Sequence, residues 1–174
     1  MNETSNSTLL GFAVLAVTVS FCLTAHAANP CQPVFDALDK VTTTPRHTYS
    51  SLTAVFTHGQ PRESETIVAN GKVYIRVNGK WRASMGNLQE QQNENRQYTK
   101  GACQFVRNEM VGTEAAVLYS MHTESEDAKE DGQIWISNST GLPLREEQDI
   151  DVGGAAGKEH RSTRFEYGNI QPPI

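Results

Sequence analysis

Apolar positions recur along this chain with two different periods, and the change between them divides it. Cys31, Val34, Leu38 and Val41 return at spacings of three and four, which places them on one face of a short helix that ends before the Thr42–Pro45 run. Pro33 falls in the first turn of that helix, where its missing N–H costs little. From His47 onward the period is two. Residues 47–58 alternate and are rich in β-branched and aromatic side chains, the signature of a strand. Residues 63–69, 72–77 and 80–85 repeat the pattern, separated by Asn70-Gly71 and Asn78-Gly79. Both dipeptides accept positive φ at both positions and so form tight hairpin turns. These segments predict a β-meander.

The alternation lapses over residues 86–100, a polar, Gln- and Asn-rich stretch that reads as a short exposed helix or a loop between sheet elements. It resumes at 102–108 and at 110–124, with a bend near Gly112-Thr113, and continues through 133–138, 144–151 and 160–170. Residues 125–132 form an acidic turn, Ser139-Thr140-Gly141 a second turn, and Gly153–Gly157 a flexible tip. The expected fold is mainly β: eight to ten antiparallel strands with one N-terminal helix and room for one inserted helix.

Ahead of this domain, Leu9–Leu23 is almost wholly apolar. It has the length of a signal-peptide core and is short for a membrane span. Ala25-His26-Ala27 fits a small-x-small cleavage site, so residues 1–27 read as a signal peptide and 28–174 as one exported domain. The amino-terminal stretch lacks Lys and Arg, which leaves an uncleaved anchor as an alternative. Cys22 follows Phe21 rather than a small residue, which disfavours a lipoprotein.

The domain keeps two cysteines, Cys31 and Cys103. In an exported chain an even pair reads as a disulfide, and their spacing is not that of a C-x-x-C redox motif. Without Glu3 of the expected signal peptide, residues 28–174 carry a net charge of about −4 and no basic stripe, which argues against a nucleic-acid partner. His47, His58, His122 and His160 are scattered without metal-ligand spacing, and no cofactor is expected. The Gly153–Lys158 run is not a phosphate loop: Val152 stands where the first glycine belongs, and Glu159 replaces the Ser/Thr. Asn138-Ser139-Thr140 is a glycosylation sequon that a turn explains equally well. The acidic strand at Glu146, Glu147, Asp149 and Asp151 suits the solvated side of a sheet as well as a glycosidase pair. No nucleophile elbow is present, so the chain is expected not to be an enzyme.

Two segments carry a resemblance. One is GKVYIRVNGKWR at 71–82; the other is DGQIWISNSTGLPLREE at 131–147, where a strand, an S-x-x-G-L-P turn and a returning strand follow one another. They resemble the LolA/LolB-like superfamily of periplasmic lipoprotein carriers and their regulatory relatives. The resemblance implies a curved antiparallel sheet forming a half-open β-barrel. It also implies a periplasmic protein whose groove takes a lipid, an acyl chain or another hydrophobic molecule; a monomer is expected. The groove residues it suggests are Leu52, Phe56, Tyr74, Trp81, Tyr119 and Trp135, with Arg76 and Arg82 nearby. Relatives of the regulator type bind an envelope protein instead, and that alternative stays open.

Overall fold

The computed structural model describes residues 29–85, 100–154 and 157–174. The predicted signal peptide and almost all of the 86–100 excursion lie outside them. One helix, α1 (Gln32–Thr43), precedes nine strands: β1 (Arg46–Ala54), β2 (Arg62–Ala69), β3 (Lys72–Val77), β4 (Lys80–Ala83), β5 (Lys100–Val111), β6 (Glu114–Glu124), β7 (Lys129–Ser137), β8 (Pro143–Asp151) and β9 (Lys158–Tyr167). All neighbouring strands are antiparallel. They form one curved sheet in the order β4-β3-β2-β1-β9-β8-β7-β6-β5, whose outer strands do not pair. This is the expected half-open architecture.

Local chemistry fixes the hairpins. Asn70 and Gly71 have φ of 52° and 70°, and Asn78 and Gly79 of 51° and 76°, the positive pair a two-residue turn requires. The first strand is shorter than its alternation predicts. His58 takes φ 53° and Gly59 φ 72°, and Thr57 Oγ1 donates to the Ala54 carbonyl while accepting from the Ala54 N–H. Val55–Thr57 therefore coil into a 3-10 turn, and Phe56 leaves the sheet. The acidic turn is also shorter than expected. Ser125 closes it at Ala128 through backbone and side-chain bonds, Lys129 pairs with Glu124 at 2.9 Å, and residues 129–132 join β7. Residues 102–108 and 110–111 merge into one twelve-residue strand, β5, with a bulge between Phe105 and Arg107.

Helix α1 lies on one face of the sheet. Val34 and Ala37, with Leu38 beside them, pack on Ile134 and Ile136 of β7 and on Tyr119, Met121 and Cys103. Its start is tied to β5 by the Cys31–Cys103 disulfide. Its end is held by Arg46, a buried guanidinium that donates to the carbonyls of Val41 and Thr44. Burial lowers the Arg46 pKa, and the unpaired carbonyls at the helix C-terminus are the partners a cation finds there. Lys40 donates to the Thr140 carbonyl of the β7–β8 turn.

The disulfide closes a loop of 72 residues, which the chain-entropy model values at about 4 kcal/mol. Reduction, or the Cys31→Ser/Cys103→Ser double variant, is expected to lower Tm by roughly 10 °C. Thermal unfolding with and without reductant measures it.

Candidate functional site

In an antiparallel sheet, directly opposed residues share a face and successive residues alternate between faces. The registers therefore assign every strand residue to a side. One row on the helix-bearing face runs Ser64–Ser50–Thr163–Glu146–Ile134–Tyr119–Phe105. Ser50 and Thr163 bond through their hydroxyls at 3.2 Å, and Phe105 meets Tyr119 edge-on at 6.3 Å. The matching row on the opposite face crosses the whole sheet: Arg107–Leu118–Trp135–Arg145–Arg164–Tyr49–Glu65, then Arg76–Trp81.

The opposite face is covered by its own side chains and, over β2 and β3, by Ile170 of the C-terminal segment. Each arginine of the row has a carboxylate: Arg107 with Glu109, Arg145 with Glu147, Arg164 with Glu166, and Arg76 with Glu65. Arg145 lies over the Trp135 ring at 5.1 Å and Arg164 over Tyr49 at 4.4 Å, cation–π contacts that pin the aromatics. Trp135 Nε1 donates to Glu109, whose pKa is lowered by its bonds to Arg107 and Trp135. His47 stacks on Tyr49 at 4.1 Å and meets Trp81 at 5.8 Å.

The six residues suggested for a groove are thus divided. Leu52 and Tyr119 stand on the helix-bearing face. Tyr74, Trp81 and Trp135 stand on the other. Tyr74 is buried with Ile67 and Ala69, with Trp81 packed against them, and Trp135 is buried with Ala116, Leu118 and Leu144. Phe56 sits exposed in the 3-10 turn, off both faces. Arg76 belongs to the opposite face and Arg82 to the helix-bearing face. Aromatic size marked these positions in the sequence, but the period-two pattern sends them to different sides.

The helix covers its face around Cys103, Tyr119, Met121 and Ile134, and Arg46, Val68 and Thr163 are buried on the same side, while Phe105 and Met110 of β5 and Ile75 of β3 stay exposed there. Beyond the helix, β3 turns Val73, Ile75 and Val77 to this side, opposed to Val68, Thr66 and, on β4, Lys80. Ile75 is 39% exposed while Tyr74, its neighbour on the other face, is 6% exposed. Phe165 of β9 and Leu52 of β1, both half-buried, add apolar surface on this side, with Thr66 and Thr48 between Ile75 and Phe165 and with Arg62 and Arg161 flanking Leu52. Cations border it. Arg62 opposes Leu52, Lys80 opposes Val77, and Arg82 opposes Ile75. The carboxylates of β2, Glu63 and Glu65, oppose Ser51 and Tyr49 and so lie on the far face. Arg62, Lys80 and Arg82 form no ion pair with another described residue. Sequence reasoning missed Val73, Ile75, Val77 and Phe165, although the alternation of KVYIRV already set the first three on one side.

Where the open area meets the helix-covered one stands Glu146, its carboxylate accepting from Gln148 Nε2 at 3.2 Å. Burial pushes its pKa up to about 7, the Glu130 charge adds to the rise, and Arg161 opposes it. A separate open pocket of about 440 Å³ lies at the end of β1, β8 and β9, between Thr53–Val55, Asp149 and Lys158–His160. There His160 is already engaged by Asp149 at 2.9 Å and Glu147 at 3.3 Å. Among the described residues no group of three or more His, Cys, Asp or Glu side chains is placed to hold a metal ion.

No family model and no curated protein matches the chain. Among solved structures it is similar to LprF from Mycobacterium bovis, with a TM-score of 0.39 and 10% identity over 82% of this chain and 93% of that one. It is also similar to MucB in complex with MucA(peri), with a TM-score of 0.38 and 12% identity over 80% of this chain. The match covers 56% of MucB, so this chain spans about half of that protein's length.

The partly buried Glu146 makes stability depend on pH. Its folded pKa is raised above the unfolded value, so the folded state holds the proton more tightly. Its stabilising contribution is complete below about pH 4.5 and is lost as pH rises through about 7. Glu146→Gln is expected to match the parent near the acid end and to exceed it in Tm on the alkaline side. Paired thermal melts across this range check the sign.

Proposed function

We propose that the chain is a non-enzymatic binding protein of the bacterial periplasm that seats one acyl chain of an anionic amphiphile on the open half of its helix-bearing face. The observation that carries this is the inverted burial of β3: its three β-branched side chains face the open side with Ile75 well exposed, whereas Tyr74 is buried on the other. A strand that served only as core would bury its aliphatic side. The tail would lie along Val73, Ile75, Val77, Leu52 and Phe165, and the head would meet Arg62, Lys80 or Arg82.

Magnitudes show why the cations matter. Burying about ten methylenes is worth roughly 8 kcal/mol at about 0.8 each, and association costs at least ~4 kcal/mol of that. The remainder corresponds to a Kd near ~1 mM. A charge-assisted hydrogen bond adds about 2–3 kcal/mol, which brings the Kd to roughly tens of micromolar. The tail supplies attraction and the head decides whether the complex forms.

The test compares dodecanoate with dodecanol by calorimetry or native mass spectrometry. Dodecanoate is expected to bind at least tenfold more tightly, and its affinity should fall with added salt. Ile75→Asp should abolish binding while shifting Tm by little, because Ile75 is already exposed. No binding of either probe, or undiminished binding to Ile75→Asp, would sink the proposal.

A further inference from the structure

The two outer strands of the sheet differ in a way that points to a second binding surface. Strand β4 is four residues long and carries Lys80 and Arg82, the short, charged form that discourages pairing with another chain. Strand β5 is twelve residues long, and among the described residues it pairs with β6 alone. Its apolar side chains are exposed: Phe105 is 54%, Val106 41% and Met110 60% accessible. A long, apolar edge with free backbone donors and acceptors is a template for strand addition.

We propose that this edge pairs with β5 of a second copy, in antiparallel register about Asn108. Opposed residues must share a face, so a two-fold axis can pass only through a residue of the strand. An axis at Arg107 sets that arginine against itself, and one at Glu109 does the same to a glutamate; like charges directly opposed destabilise a pair. An axis at Asn108 sets the Arg107–Glu109 pair of one chain against that of the other, so that each arginine opposes a glutamate in a four-charge cluster, and sets Val106, at the bulge, against Met110. Among axes at Arg107, Asn108 and Glu109, complementarity favours Asn108. The bulge between Phe105 and Arg107 ends the regular stretch on one side and Gly112, with φ 62°, ends it on the other. The contact is short, so the dimer is weak and the expected monomer is its dilute form.

The axis makes a specific test possible. Asn108 is exposed, so a substitution there leaves the core intact. In a Cys22→Ser background with the Cys31–Cys103 bond kept, Asn108→Cys is expected to form a covalent dimer under mild oxidation. Opposed side chains sit within disulfide reach. Val106→Cys and Met110→Cys should cross-link poorly alone and well when mixed. Glu126→Cys, exposed in the β6–β7 turn, serves as the control. Sedimentation of the unsubstituted protein should show association from micromolar to millimolar concentration, weakened by salt and by Arg107→Glu. Cross-linking of Asn108→Cys no faster than Glu126→Cys overturns the proposal. So does a Val106→Cys homodimer that outpaces it, or a sedimentation profile independent of concentration.

Discussion

A helix of twelve residues is about 18 Å long and 10 Å wide, whereas nine strands spaced about 4.8 Å apart make a sheet roughly 40 Å across. That disproportion governs the molecule. The helix can cover only the β5–β8 part of one face, and its grip there rests on Val34 and Ala37 against Ile134 and Ile136, fastened at one end by Cys31–Cys103 and at the other by Arg46. Every other part of the sheet has to satisfy its side chains by a different means.

On the far face the means is mutual neutralisation. Arginines stand beside glutamates two residues along the same strand or across the ladder, and aromatic rings lie under the guanidinium planes. Each pair is worth little alone at an exposed position, but the row leaves few free charges to attract a ligand. The helix-bearing side is built to the opposite rule. Its aliphatic side chains over β1, β3 and β9 are partly open, and among the described residues Arg62, Lys80 and Arg82 at its border form no ion pair. The two sides therefore differ less in composition than in whether their charges are already spoken for.

What the sequence revealed follows from how local each determinant is. Asn70-Gly71 and Asn78-Gly79 specify their turns through their own φ preferences, so the first meander was legible without tertiary knowledge. The early exit of Phe56 was not, because the left-handed backbone at His58 and the Thr57 hydroxyl end the strand while the alternation runs on. Alternation also sorted residues such as Tyr74 and Ile75 onto different sides without telling which side the helix covers. That depends on a contact between α1 and β7 about a hundred residues away in sequence. For the same reason Glu146 reads in the sequence as one more solvated acid among four, whereas in the fold desolvation, with the Glu130 charge, raises its pKa.

The sheet has its first and last strands at its centre: β1 and β9 pair along nine successive residues, from Arg46–Tyr167 to Ala54–Glu159. Each half is a sequential meander that can zip locally, yet the seam between them joins positions more than a hundred residues apart. Such long-range closure is slow compared with hairpin formation. An emerging chain therefore cannot complete its sheet until its carboxyl-terminal strand is available, and a truncated product lacks the central seam altogether.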